Sequence, residues 1–121
     1  ERAPCALGGA PATDPYLIPS QLAAMVVIEA GLRAVNLGPD VPPAALVRAA
    51  TQLHPRLVWV SATTALPPAR AGALARALET LPKGITVVVG GQHAANLQLP
   101  PRVLRGSTLQ ELATIASSLK Q

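Results

Sequence analysis

The residues able to do chemistry in this chain fall in short segments, each just after an apolar run. Asp14 is the one acidic group in Leu7 to Ser20, a stretch that leaves an apolar segment through Gly8 and Gly9 and carries Tyr16. Ser61 and Thr63 follow Leu57-Val58-Trp59-Val60, and Gly90, Gly91 and Gln92 follow Ile85 to Val89. One carboxylate, small hydroxyls and glycines can receive a ligand. They do not form a cysteine–histidine pair, a serine–histidine–acid set or a metal-ligand cluster. Gly8-Gly9 opens no Gly-x-x-x-x-Gly-Lys or Gly-x-Gly-x-x-Gly loop, so the turn is not a phosphate loop. The expectation is a binding module rather than an enzyme, with no catalytic and no metal-ligating residue.

The elements that must position these residues alternate strand and helix. Residues 3 to 7 read as a first strand, weakened by Pro4. Pro19 to Ala30 has helical spacing, with Gly31 as its stop. Leu32 to Leu37 is a second strand, ended by Gly38-Pro39-Asp40, and Pro43 to Leu53 a second helix. Leu57 to Val60 is an uninterrupted apolar run, as in a central parallel strand covered on both faces. A third helix runs from Pro67 or Pro68 to Leu81, and Ile85 to Val89 is the most β-branched run. Ala94 to Leu97 reads as a short helix, Val103-Leu104 as an edge strand and Thr108 to Leu119 as a last helix. There Thr108 and Glu111 have capping-box spacing.

Five strand–helix units with short connections predict an α/β, flavodoxin-like, doubly wound five-stranded parallel sheet. Its order would be 2-1-3-4-5, with helices on both faces. Loops after strands then meet at one edge, and the ligand crevice is expected between the first and third strands, where the order reverses. The glycines of the first loop would let its backbone approach a ligand closely.

Composition narrows the classes. The 121 residues suit one domain, 1–121, and half of them are apolar. The net charge of +4 is spread over scattered arginines such as Arg33, Arg56 and Arg102, without a basic run. That pattern reads as a solvated surface rather than a nucleic-acid footprint. Cys5 is the only cysteine, so no internal disulfide forms, and a cytoplasmic setting is expected. No stretch reaches the roughly 18 apolar residues of a membrane span, so no membrane partner is expected. The chain begins at Glu1, and the expectation is a piece of a longer protein. Cys5 and Trp59 read as core and His93 as a surface-loop histidine. Gln92 either contacts a ligand amide or is solvated. A response-regulator receiver needs an Asp at the end of the third strand, where Ser61 stands.

Gly31 with Leu32 to Leu37, Leu37-Gly38-Pro39-Asp40-Val41-Pro42, Pro55 to Ser61 and Val89-Gly90-Gly91 together resemble a cobalamin-binding domain, over nearly the whole length. The likeness is greatest to the C-terminal domain of MerR-type transcriptional regulators, including the light-sensing LitR/CarH group. That family's signature is an Asp- or Glu-x-His-x-x-Gly turn, Ser-x-Leu or Ser-x-Thr after the third strand, and Gly-Gly after the fourth. Ser61-Ala62-Thr63 and Gly90-Gly91 match the later parts. Asp14-Pro15-Tyr16-Leu17-Ile18-Pro19 matches the first with Tyr16 at the histidine and Pro19 at the glycine.

The resemblance implies cobalamin as cofactor, with Asp14, Tyr16, Ser61, Thr63, Gly90, Gly91 and Gln92 at its site. Ser61, Thr63 and the glycine pair would line the groove for the nucleotide tail. In the family the histidine is the lower cobalt ligand and the acid holds its other nitrogen. A phenol titrates near pH ~10, so Tyr16 is a poor donor to cobalt. Three outcomes stay open: the cofactor binds with its own base attached, a different ligand binds, or the site is empty. Asp14 could equally make an Asx-turn, and His93 lies where it could supply a cobalt contact. The function expected is sensory or regulatory, with DNA contacted only by a preceding N-terminal domain and a homo-oligomer in the full-length protein. The alternatives are a corrinoid carrier of a methyltransferase or mutase, and a cofactor-free interaction domain.

Overall fold

Apolar runs of four or five residues, separated by helices and short turns, can all be buried only in a parallel sheet with helices on both faces. The computed structural model describes residues 4–12, 14, 15, 18–106 and 108–119. The strands are β1 (Cys5–Gly9), β2 (Arg33–Asn36), β3 (Leu57–Ser61), β4 (Thr86–Gly90) and β5 (Val103–Gly106). The helices are α1 (Ile18–Glu29), α2 (Pro43–Leu53), α3 (Pro68–Thr80) and α4 (Leu109–Ser118), with a 3-10 turn at Ala94–Asn96. The sheet order is β2-β1-β3-β4-β5 and every pair is parallel. This is the flavodoxin-like order expected. Among the described residues, no helix is long and apolar enough to cross a membrane.

The first strand lies two residues later than expected, and residue 3 is outside the described residues. Pro4 has no N–H to give a ladder, so pairing starts after it. Gly8 and Gly9 are therefore strand residues, paired in register with Trp59 and Val60. They are glycines because the protein itself fills the space above them. A Cβ on Gly8 would lie 2.0 Å from Cδ2 of Trp59, and one on Gly9 would lie 2.9 Å from the Gly38 carbonyl oxygen. Close approach of a ligand is not what they serve.

Side chains alternate across the central strand. Leu57 and Trp59 pack with Ala23 and Val27 of α1 and Leu112 and Ala116 of α4. Val58 and Val60 pack on the opposite face with Leu46 and Ala50 of α2 and Leu74 and Leu78 of α3. The first and last helices thus share one face of the sheet. Gly31, with φ +106°, stops α1 as its position suggested.

Several arginines are used inside the chain. Arg102 donates to the carbonyls of Leu81, Pro82 and Ile85, and Arg105 to those of Ala94 and Leu97. Arg56 reaches the Leu119 carbonyl. These guanidiniums staple loops and helix ends together, so part of the surface charge read as merely solvated is structural.

Candidate functional site

The β1–α1 and β3–α3 loops meet at the carboxyl edge because one carboxylate joins them. Asp14 is fully buried. One carboxylate oxygen accepts the Thr63 amide at 2.7 Å and the Thr64 amide at 3.3 Å, and both oxygens lie 2.8 Å from the Thr63 hydroxyl. Charge-assisted bonds of this kind are stronger than neutral ones, which is what holds a loop of small residues in one place. The Asp14 carbonyl also accepts the Asp40 amide at 2.9 Å, tying in the turn after β2. Asp14 is thus a latch across loops; the Asx-turn that its place before Pro15 allows would close on Tyr16 and lies outside the described residues.

The start of α1 is fixed from a second side. Ser20 is buried and donates to Oδ1 of Asn36 at 2.6 Å, and the Gly38 amide donates to the same oxygen at 2.9 Å. Pro19 is the second residue of α1, where its missing N–H costs the helix nothing. Tyr16 lies outside the described residues.

Between α1 and α4, above β3, β4 and β5, is a cavity of about 230 Å³. Trp59 and Val88 belong to its sheet side, Leu22 and Ala23 to α1, and Leu109 and Leu112 to α4. Ser61, Gly90, Gly91, Gly106 and Thr108 supply its more polar rim. Among the described residues no charged side chain lines it. Drug-sized ligands occupy roughly 300–1,000 Å³, so this space suits one planar, mostly apolar group and not a whole large cofactor. It lies over β3–β5, on the sheet face that α1 and α4 cover, whereas the expected crevice was between β1 and β3.

The rim glycines also have internal reasons. A Cβ on Gly90 would lie 2.8 Å from the Gly106 carbonyl oxygen, and Gly91 sits at φ +102° against the Ala62 backbone. The start of α4 is closed by its capping box: Glu111 N–H donates to Thr108 Oγ1 and Thr108 N–H to Glu111 Oε1, each at 3.1 Å. With a carboxylate already there, that helix end offers an anion little.

Next to the cavity, sharing Pro19 with it, is a more open basin lined by Thr63, Thr64, Ala65, Gln92 and His93. The structure therefore brings Ser61, Gly90 and Gly91 to the cavity and Thr63 and Gln92 to the basin, with Asp14 behind Thr63. His93 Nδ1 lies 3.3 Å from Asn96 Nδ2. His54 caps α2 in the left-handed conformation, before β3 and thus at the other end of the sheet. Among the described residues no cluster of three metal-ligating side chains occurs.

Trp59 is what residue-by-residue reading missed. It is 2% exposed, as a core residue should be, yet it lines the cavity. The usable signal was its spacing: two residues before Ser61 in a strand, it must share Ser61's face. Its Nε1–H is one of two buried side-chain polar atoms without a hydrogen-bond partner among the described residues. The other is the Thr64 hydroxyl. Buried donors are nearly always paired, and these two belong to residues lining the cavity and the basin.

Solved structures share this architecture. The methanol:cobalamin methyltransferase complex MtaBC of Methanosarcina barkeri matches with a TM-score of 0.79 at 18% identity, over 95% of this chain and 45% of that one. A cobalamin-binding protein from Desulfitobacterium hafniense DCB-2 matches at 0.75 and 17%, over 98% and 60%. The monomethylamine corrinoid protein of Methanosarcina barkeri matches at 0.72 and 19%, over 94% and 57%. The chain thus spans about half the length of these proteins, and at such identities the likeness is one of fold. No curated protein matches it. The model of the B12 binding domain matches residues 4–100, from the first strand through the loop that follows β4. With strand order, loop glycines and cavity already in place, that match makes the chain a member of the B12 binding domain family.

Proposed function

We propose that this domain binds a corrinoid with its nucleotide base detached from cobalt and seated in the cavity between α1 and α4. The observation that carries this reading is the cavity itself: about 230 Å³, with no charged side chain among the described residues that line it, and walled by Trp59, Leu22, Leu112 and Val88. A planar heteroaromatic base fits that description, whereas a phosphate or a sugar would meet too few donors. Ser61, Gly90, Gly91, Trp59 and Thr108 would hold the base and its linkage, and Thr63, Thr64, Gln92 and His93 would lie beneath the ring.

A bound corrinoid supplies a cobalt centre able to accept and give up an alkyl group. The chain's own part is to hold the tail in a dry slot, fix the ring over the carboxyl edge and leave its other face open to a partner. In this reading the domain is a carrier that performs no catalysis alone, and a separate methyltransferase-type subunit acts on the cargo. The architecture shared with MtaBC and the monomethylamine corrinoid protein supports a carrier.

A second reading keeps the same pocket in a MerR-type regulator, where DNA contact and oligomerisation involve other parts of the protein. What favours it is Tyr16 in place of the family's histidine, since a regulator has less need of a controlled lower ligand than a carrier does.

Mixing the protein with hydroxocobalamin and desalting tests the shared core of both readings. A corrin spectrum retained at one per chain is expected, and a colourless protein overturns them. Reduction to the cob(I) state and alkylation on the protein then separates them: a carrier completes that cycle with its corrinoid retained, and a regulator gives no such turnover.

A further inference from the structure

Helices α2, α3 and α4 turn leucines inward: Leu46, Leu74 with Leu78, and Leu112 are buried. Helix α1 does the reverse. Its buried residues are Ser20, Ala23 and Val27, while Ile18, Leu22, Met25 and Ile28 are between 43 and 66% exposed. Those four follow one another three or four residues apart, which sets them in a single row along about 15 Å of helix. A surface helix ordinarily faces its larger apolar side chains to the core. Only something packed on the outer face of α1 takes this row out of water.

A ligand in the cavity is not that cover, because Met25 and Ile28 line neither the cavity nor the basin. Three features fit a second copy of this chain instead. The four side chains expose apolar surface on the order of 400 Å², close to the roughly 450 Å² of apolar area that each partner gives to a standard-size interface. The one charged residue of α1, Glu29, is its last, so the row offers a charged partner little to pair with. The row also reads nearly the same in both directions: in an antiparallel pair Ile18 meets Ile28 of the second copy and Leu22 meets Met25. A two-fold contact between identical chains needs that self-complementarity. The same arrangement sets the two Glu29 carboxylates about 17 Å apart along the axis, roughly two Debye lengths in physiological salt.

We propose that the outer face of α1 is a homodimer interface, in which two copies of this domain pack α1 against α1 in antiparallel orientation, centred between Leu22 and Met25. Leu22 also belongs to the cavity wall, but the contact requires no ligand there.

Sedimentation equilibrium with two charge variants tests this. The native protein at about 100 μM should show twice the chain mass, as an interface of this size supports. Ile18→Glu and Ile28→Lys each add a charge of the sign favoured at its own end of the helix, so each should keep the native helical circular dichroism. Either variant alone should fall to the single-chain mass, because its new charge is pressed against an isoleucine of the second copy. Mixed in equal amounts they should regain the double mass. The Ile18→Glu carboxylate of one copy then faces the Ile28→Lys ammonium of the other, and the opposite end of the pair stays apolar. Native protein that keeps the single-chain mass up to about 1 mM would overturn the proposal and leave the face to a different partner. A dimer that both variants leave intact would overturn it too, as would a mixture of the variants that stays at the single-chain mass.

Discussion

Both oxygens of the Asp14 carboxylate lie 2.8 Å from the Thr63 hydroxyl, joining two loops 49 residues apart in the chain. The same group accepts two backbone amides, so its removal strands donors that are shielded from water. Asp14→Ala should cost about 2–3 kcal/mol and Thr63→Val about 1 kcal/mol. Urea unfolding checks both, with the midpoint lowered and the slope unchanged. A loss under about 0.5 kcal/mol for Asp14→Ala, the size of an ordinary surface change, would show that the latch does not hold the edge together.

Gly8→Ala places a methyl group inside the Trp59 ring position. Overpacking of this kind costs about 1–3 kcal/mol, and the ring must be displaced toward the cavity. The expected result is lowered stability together with a red-shifted Trp59 emission. An unchanged spectrum would mean that Gly8 and Trp59 are not in the contact described.

Thr108→Ala removes the hydroxyl that accepts the Glu111 amide and leaves the Glu111 side chain as half of a capping box. The cost should be about 1 kcal/mol, read by thermal or urea unfolding. Thr108→Ser should restore most of it, since the cap needs only the oxygen.

Much of the architecture was legible before any coordinates. Leu57 to Val60 and Val87 to Val89 lack polar interruption, and prolines and glycines at positions such as Pro43 and Gly31 mark helix boundaries. The edge loops were legible too, because topology alone sends every post-strand loop to one side. What could not be read was which groups are already spoken for. Asp14 and Thr63 are both plausible ligand contacts in the sequence, and only folding reveals that they hold each other. Gly8 and Gly9 look like a ligand-facing turn, and only the Trp59 ring above one and Gly38 beside the other explain them. Trp59 itself looks like plain core because a sequence does not tell whether an indole N–H has an acceptor.

Burial pushes the Cys5 thiol up from its ordinary value of 9.0, and nearby Arg33 offsets this only in part. A raised folded value means the native state holds the proton more tightly than the unfolded chain. Stability is therefore unaffected by this group below pH 9.0 and falls as pH rises through the folded value. Native protein near neutral pH should resist iodoacetamide and react once unfolded in urea. Rapid labelling of the folded protein would contradict the burial of Cys5.

Seating of the nucleotide base between α1 and α4 is the central claim, and the colour of bound methylcobalamin tests it most directly. The free cofactor at neutral pH keeps its base on cobalt and is red. On this protein it should turn to the yellow base-detached form, and Ser61→Leu, which fills the cavity mouth from the Trp59 face, should abolish the change. Bound methylcobalamin that stays red, with the same affinity in the Ser61→Leu protein, would contradict the account.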